Sequence, residues 1–194
     1  MILPLRLNKG GFLRPFGCGW FIREYLLGRS PNGSPAIDPE NGSCQEDIFY
    51  HYKIALHKAY AEDAIAYENE ERIRQGKPIY TDEEYQERID YHMSKMPYKL
   101  VKCRYHSFSR YFHFLKQLGW VEPTGKEEPS AIQQYYSPAP PRVYYRLTHK
   151  GIEAPDYEWS NPQLTLYPER PLEYFREKRK QRKYSRKAPT KRWR

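Results

Sequence analysis

Residues 107–122 read Ser-Phe-Ser-Arg-Tyr-Phe-His-Phe-Leu-Lys-Gln-Leu-Gly-Trp-Val-Glu, and this stretch decides the fold. Its large apolar residues recur at the spacing of one buried helix face: Phe108, Tyr111, Phe112, Leu115 and Leu118. Ser107 is a residue type that caps a helix start, and glycine ends a helix easily because it tolerates a left-handed backbone. The pattern therefore predicts a helix over 107–118 that ends at Gly119.

Two short apolar runs after this helix predict a pair of strands. The first is Trp-Val-Glu at 120–122, and the second, at 143–147, follows a long loop and continues as Thr-His-Lys-Gly to residue 151. A helix that ends in Leu-Gly-Trp-Val, followed by a ribbon that closes on Tyr-Arg-Leu-Thr-His-Lys-Gly, resembles the winged helix-turn-helix domain of bacterial and archaeal transcription regulators. The resemblance implies an α+β, mainly helical fold with a two-stranded wing, and double-stranded DNA as the partner.

The chemistry of the helix is consistent with that expectation. With the apolar face turned inward, the outer face carries Arg110, His113, Phe114 and Gln117. Arginine and glutamine read guanine and adenine edges in a major groove, whereas Ser107 and Lys116 suit phosphates. The alternative is a solvated face that happens to hold these residue types. An exposed Phe114 contacts either thymine methyls or another part of the protein.

The formal net charge of +9 is unevenly distributed along the chain. Residues 169–194 hold 12 basic and 3 acidic side chains, whereas residues 1–168 hold 21 of each sign. Residues 38–93 hold 14 acidic and 6 basic side chains, and residues 94–121 hold 6 basic and no acidic ones. A polyanion is therefore expected to be steered to the region around the helix and to the C-terminal arm.

The predicted nucleic-acid-binding residues lie on the helix, in the wing and in the basic arm. They are Ser107, Arg110, His113, Lys116 and Gln117; Lys126 and Arg142; and Arg179, Lys180, Arg182, Lys183, Arg186 and Lys187. Double-stranded DNA binding is the leading interpretation. Basic arms and abundant tyrosine also suit an RNA-binding or structural component of a ribonucleoprotein. A winged-helix protein–protein adaptor is a third possibility, because a fold does not fix a function.

Three regions are predicted: an irregular lead-in and helical extension at 1–79, a winged-helix domain at 80–152, and an irregular segment with the basic arm at 153–194. Capping boxes beginning at Ser43 and Thr81 predict helices over 44–75 and 82–95. The winged-helix family needs two helices before the recognition helix. Here they are 82–95 together with either 98–104 or part of 44–75.

The predicted helix 44–75 has two apolar stripes. The first includes Tyr52 and Leu56, and the second consists of Ile54, Ala61 and Ile65. Because one stripe is enough to pack a helix onto its own domain, the second predicts a homodimer contact. The alternative is that the second stripe meets the first helix of the same chain.

Catalytic and metal-binding signatures are missing from the sequence. No phosphate-binding Gly-rich loop, Gly-x-Ser-x-Gly elbow or His-Glu-x-x-His helix occurs, and the six histidines are scattered. The three cysteines form no Cys-x-x-Cys pair, and no apolar run is long enough to span a bilayer. We therefore expect a cytoplasmic, non-enzymatic protein without metal, cofactor or membrane partner.

Overall fold

The structure, a computed structural model, describes residues 7–9, 12–96, 104–129 and 141–169, together with positions 174 and 177. Its strands are β1 (Leu7–Lys9), β2 (Phe12–Arg14), β3 (Ser43–Cys44), β4 (Val121–Glu128) and β5 (Arg142–Leu147). Its helices are α1 (Cys18–Leu26), α2 (Gln45–Arg74), α3 (Asp82–Lys95), α4 (Tyr105–Leu118), α5 (His149–Glu153), α6 (Asp156–Ser160) and α7 (Pro162–Leu166), with a 3₁₀ turn at Pro31–Gly33. The fold is thus α+β and mainly helical, as predicted.

The sheet beside α4 has three antiparallel strands in the order β3–β5–β4, so the prediction of two strands was wrong. Ser43 pairs with Tyr145 and Cys44 with Tyr144, which adds a short strand on the far side of β5. Two residues between a loop and a helix are too few to show the alternation that identifies a strand.

Strand β4 is longer than predicted and runs through residues that the sequence assigns to a loop. It pairs with β5 from Val121 to Glu128, with a register shift between Pro123 and Glu127. Gly125 lies within the shift at a φ of 86°, a backbone conformation that glycine adopts without strain. The irregularity lets a proline and a glycine sit inside a paired strand, which explains why the composition misled the prediction.

Two of the predicted helix starts were wrong. Helix α2 begins at Gln45 with Cys44 at the N-cap, so Ser43 does not cap it and is a buried strand residue instead. Helix α4 begins at Tyr105 with Arg104 at the N-cap, which puts Ser107 inside the first turn. Neither N-cap side chain makes a capping hydrogen bond. Tertiary contacts set these starts, and local sequence does not record such contacts.

Other predicted helix ends are confirmed. Thr81 accepts a hydrogen bond from the backbone N–H of Glu84, whose carboxylate accepts one from the backbone N–H of Thr81. Gly119 adopts the left-handed conformation at the end of α4, with φ 68° and ψ 29°. The segment after residue 153, predicted to be irregular, instead holds the short helices α6 and α7, of which α6 begins directly after Pro155 and α7 begins at Pro162.

One aromatic core joins α1, α2, α4, α6 and the start of β4. Its fully buried side chains include Phe21, Ile22, Tyr52, Leu56, Phe108, Phe112, Leu115, Trp120 and Trp159. The rings of Trp120 and Trp159 lie 4.9 Å apart between centroids. This core takes side chains from before residue 79 and from after residue 80. The predicted domain boundary at this point stays a prediction.

The second stripe of α2 is covered by α3. Ala61 and Ile65 are fully buried against Ile89, whereas Ile54 remains 37% exposed. Ala61 and Ile65 therefore pack on α3, so the interpretation that they meet the first helix of the chain was wrong, whereas the homodimer contact stays a prediction. A homodimer through this stripe has lost most of the apolar surface on which it was predicted.

A polar cluster joins α2 to α3 around the carboxylate of Glu68. Arg88 donates from Nε to Glu68 Oε2 at 3.0 Å and from Nη2 to Oε1 at 2.5 Å. Tyr80 donates to Oε2 at 3.1 Å, and His92 Nε2 lies 2.8 Å from Oε1. The hydrogen bonds from Arg88 are the main reason why the pKa of Glu68 falls below its ordinary value of 4.5, although burial acts in the opposite direction.

We expect Glu68→Gln to lower the free energy of unfolding by about 1–3 kcal/mol at pH 7, because the charge-assisted hydrogen bonds are lost. A carboxyl group with a lowered pKa stabilises the folded state above its unfolded pKa. The difference between wild type and variant should therefore shrink as the pH falls below 4.5. Urea unfolding across this range measures both effects.

The control is Glu70→Gln, because Glu70 is largely exposed and lies 3.9 Å from Arg74. It should change the free energy of unfolding by less than about 0.5 kcal/mol. A pH-independent deficit in Glu68→Gln would contradict the electrostatic explanation.

Candidate nucleic-acid interface

The outer face of α4 brings five of the predicted residues together. Ser107, Arg110, His113, Lys116 and Gln117 are all exposed on this one helix. The opposite face is buried, with Phe108, Phe112 and Leu115 no more than 2% exposed. No acidic residue occurs in the helix, so nothing within it neutralises Arg110 and Lys116. The surface is a continuous polar and basic strip on a rigid helix.

The strip is longer than the sequence indicated. Because α4 begins at Tyr105, His106 lies on the helix and is exposed four residues before Arg110. Arg104, at the N-cap, is exposed as well. His106, Arg110, His113 and Gln117 recur at helical spacing and span about 16 Å along the axis. The sequence does not place His106 on the helix, because Ser107 is a favoured capping residue type and Arg104 is not.

Contacts at its start and near its middle fix the orientation of α4. At its start, Tyr105 donates to Glu46 Oε1 at 2.7 Å, and its ring meets Phe49 at 5.2 Å between centroids. Near its middle, the Tyr111 hydroxyl donates to the backbone carbonyl of Trp159. These contacts come from α2 and α6, so the exposed strip is held on the core from two directions.

Contacts at the end of α4 give a physical reason for the Leu-Thr-His-Lys-Gly sequence. The Thr148 hydroxyl donates to the carbonyl of Gly119 at 2.6 Å and accepts from the N–H of Gly151 at 3.1 Å. A Cβ on Gly151 would collide with the backbone of Trp120. The end of α4 is thereby joined to the end of β5, so the helix and the β4–β5 hairpin keep a fixed relation.

Phe114 is the one half-buried residue among the predicted outer-face residues. The guanidinium carbon of Arg110 lies 6.0 Å from the centroid of its ring, and the ring of His113 lies 6.4 Å away. The first distance is at the outer limit of a cation–π contact. Arg110 and Phe114 therefore form a neighbouring pair of unlike chemistry on the strip.

On the β4–β5 hairpin, Lys126 is neutralised locally. Its Nζ lies 3.1 Å from Glu128 Oε1 and 4.1 Å from the centroid of the Tyr144 ring. The hydrogen bond that Lys126 donates to the Glu128 carboxylate is the main cause of a raised pKa for Lys126. With Glu127 beside them, the paired part of the hairpin carries no net positive charge. The role predicted for Lys126 stays a prediction.

Arg142 is engaged inside the protein. Its Nη2 lies 2.6 Å from Asp47 Oδ1, which ties the start of β5 to the first turn of α2. The side chain is 27% exposed, so its charge is both paired and partly covered. Sequence reasoning did not find this pair because the two residues are 95 positions apart. The predicted contact of Arg142 with nucleic acid stays a prediction.

The arm residues Arg179, Lys180, Arg182, Lys183, Arg186 and Lys187 lie outside the described residues. Their predicted contacts with phosphate rest on sequence alone. Position 177 is the last one that the structure describes.

The part of the chain that the structure describes gives little support for a metal site, a reactive thiol or a membrane span. There, no group of three or more His, Cys, Asp and Glu side chains could hold a metal ion. Burial raises the pKa of the Cys44 thiol to about 11, so this thiol is protonated at neutral pH. An open cavity of about 290 Å³ lies beside Trp120 and is lined by His149, Lys150 and Glu158. Within the same residues, no helix has the length and apolar character needed to cross a bilayer.

Comparison with known proteins adds no assignment. No protein-family model, curated protein or solved structure matches the chain. The chemistry of the strip on α4 and its attachment to the core are therefore the features that bear on function.

Arg142 is paired with Asp47, whereas Arg110 is exposed. We expect this difference to appear in the free energies of unfolding of their alanine variants. Arg142→Ala leaves Asp47 without its partner, and we expect the free energy of unfolding to fall by about 1 kcal/mol. Arg110→Ala removes an exposed side chain and should change it by less than about 0.5 kcal/mol.

The double variant Asp47→Ala with Arg142→Ala supplies the control. Its loss should be smaller than the sum of the two single losses, because the residues act as a pair. Additive losses, or equal losses for Arg110→Ala and Arg142→Ala, would contradict this assignment.

Proposed function

We propose that the protein binds double-stranded DNA through the outer face of α4, as a transcription regulator or accessory factor in the cytoplasm. The observation that carries the proposal is the strip itself. Arg110, His113 and Gln117 are exposed on an acid-free helix whose other face is buried in the core. Such a helix offers its polar side chains to a partner without disturbing the fold.

The chemistry of the strip favours duplex DNA. An α-helix fits the B-form major groove, where Arg pairs with guanine and Gln with adenine through two hydrogen bonds each. The major groove of A-form RNA is too narrow to be read in this way. Ser107 and Lys116, at the two edges of the strip, suit the phosphates that fix the position of the helix along the duplex.

The arrangement of elements supports a winged-helix architecture, in which α4 is the recognition helix and β4–β5 the wing. Two helices, α1 and α2, precede α4 in the main core, and strands β4 and β5 follow its C-terminal end, with β3 paired to the other side of β5. Helix α3 packs on the C-terminal half of α2 through a separate cluster around Ile89. On this proposal, α3 is an insertion, and α1 and α2 are the two helices that the family requires, in place of the predicted pair of 82–95 with either 98–104 or part of 44–75.

The basic arm supplies the sequence-independent part of the proposed affinity. Residues 176–194 hold 11 basic side chains and one acidic side chain, and each phosphate that they neutralise steepens the fall of affinity with salt. A Lys- and Arg-rich arm contacts the phosphates of DNA and RNA alike. The choice of double-stranded DNA over RNA therefore rests on α4.

We expect Arg110→Ala and Gln117→Ala to weaken binding to a preferred duplex far more than binding to random duplex DNA. A bidentate contact with a base contributes about 1–3 kcal/mol of discrimination, or roughly 5- to 150-fold. The preferred duplex is first selected from a random pool with the full-length protein. Fluorescence anisotropy at several salt concentrations then compares the two DNAs and an RNA hairpin.

The matched control is Gln86→Ala, which removes the same side-chain type from an exposed position on α3. It should leave both affinities unchanged. Equal losses on preferred and random duplexes would reduce α4 to a phosphate contact, and tighter binding to the RNA hairpin would favour the ribonucleoprotein alternative.

A further inference from the structure

Phe114 is out of place on a surface that otherwise carries hydrogen-bonding groups. It lies one helical turn after Arg110 and three residues before Gln117, with His113 next to it. Its ring is half-buried, so part of it faces the same partner as the polar residues around it. Burial of this ring by a partner is favourable when the partner places an apolar group against it.

Arg110 and Phe114 are close enough to act on neighbouring base pairs. The guanidinium carbon lies 6.0 Å from the ring centroid, which is less than two base-pair steps of about 3.4 Å. Residues four positions apart are neighbours on a helix surface, so the two side chains leave α4 side by side. The pair therefore presents a hydrogen-bond donor fork next to an apolar surface.

The major groove offers one apolar feature that matches this surface. Among the exposed edges of the four bases, thymine carries a C5-methyl group, while guanine accepts two hydrogen bonds from arginine. 5-Methylcytosine carries the same methyl group in the same place. A guanine beside a C5-methylated pyrimidine thus offers acceptors to Arg110 and a methyl group to Phe114.

We propose that Arg110 and Phe114 read one base step, in which Arg110 contacts a guanine and Phe114 packs on the C5-methyl group of an adjacent pyrimidine. This inference rests on the proposed function and names the feature of DNA that the α4 strip selects. Phe114 is then a specificity-determining residue, and the methyl group, from either thymine or 5-methylcytosine, is its ligand.

The test uses the full-length protein and the duplex selected from a random pool. Each thymine of that duplex is replaced in turn by uracil, which removes the methyl group and keeps every hydrogen-bonding atom. We expect one position to lose affinity by about fourfold, the value of one buried methyl-sized group. Substitution at the neighbouring guanine should lose its effect in Arg110→Ala.

Phe114→Ala should bind the thymine and uracil duplexes equally. The comparison is a ratio within one protein, so a change in the folded fraction cancels. Tyr157→Ala, which removes an aromatic residue that is 74% exposed on α6, is the control and should keep the fourfold ratio. The wild-type measurement needs no variant, so the inference remains testable even if Phe114→Ala fails to fold.

A second pair of duplexes separates the sources of the methyl group. With the critical base pair changed to cytosine·guanine, methylation at C5 of the cytosine should restore about fourfold in affinity. Equal binding of the methylated and unmethylated duplexes would contradict a contact with the methyl group itself.

The outcomes distinguish the two proposals. A selected duplex that is indifferent to uracil at every position overturns the role of Phe114 and leaves the proposed DNA binding intact. Failure of the selection to enrich any duplex overturns base reading by α4, and failure to bind random duplex DNA overturns the proposed function as well.

Discussion

Burial of the inner face of α4 is the interaction on which the rest of the structure depends. Phe108, Phe112 and Leu115 are almost completely removed from solvent, and each such side chain stabilises the fold by about 1.5–3 kcal/mol. Helices α1 and α2 and the start of β4 supply the surfaces that cover them. Because one face of α4 is committed to the core, the other must face solvent or a partner, and that face holds the cations and hydrogen-bonding groups.

The same constraint links the helix to the sheet. Thr148 bonds to both Gly119 and Gly151, so the end of α4 and the end of β5 meet at one point. Sliding of the helix would break these bonds and expose Trp120, which packs on Trp159. A recognition surface of fixed geometry is what base readout requires, since hydrogen bonds to base edges tolerate little displacement.

The sequence predicted the features that depend on neighbouring residues in the chain. It missed the features that depend on contacts with residues from other elements. The period of Phe108, Phe112 and Leu115 was enough to give α4 and its faces, and Gly119 gave its end. The start of α4 was placed two residues late, because contacts between Tyr105 and α2 set it without a capping side chain. Strand β3, the cover of α2 by α3 and the pairing of Arg142 all depend on partners far along the chain.

The most direct test of the account is to locate bound DNA on the protein. Backbone amide signals of isotopically labelled full-length protein can be followed by NMR as a 16-base-pair random duplex is added. The account predicts that the largest shifts occur at Arg110, His113 and Gln117, while the exposed face of α3 around Glu83 and Glu87 stays unchanged. Shifts concentrated on α3, or confined to residues beyond 176 with α4 unaffected, would contradict it.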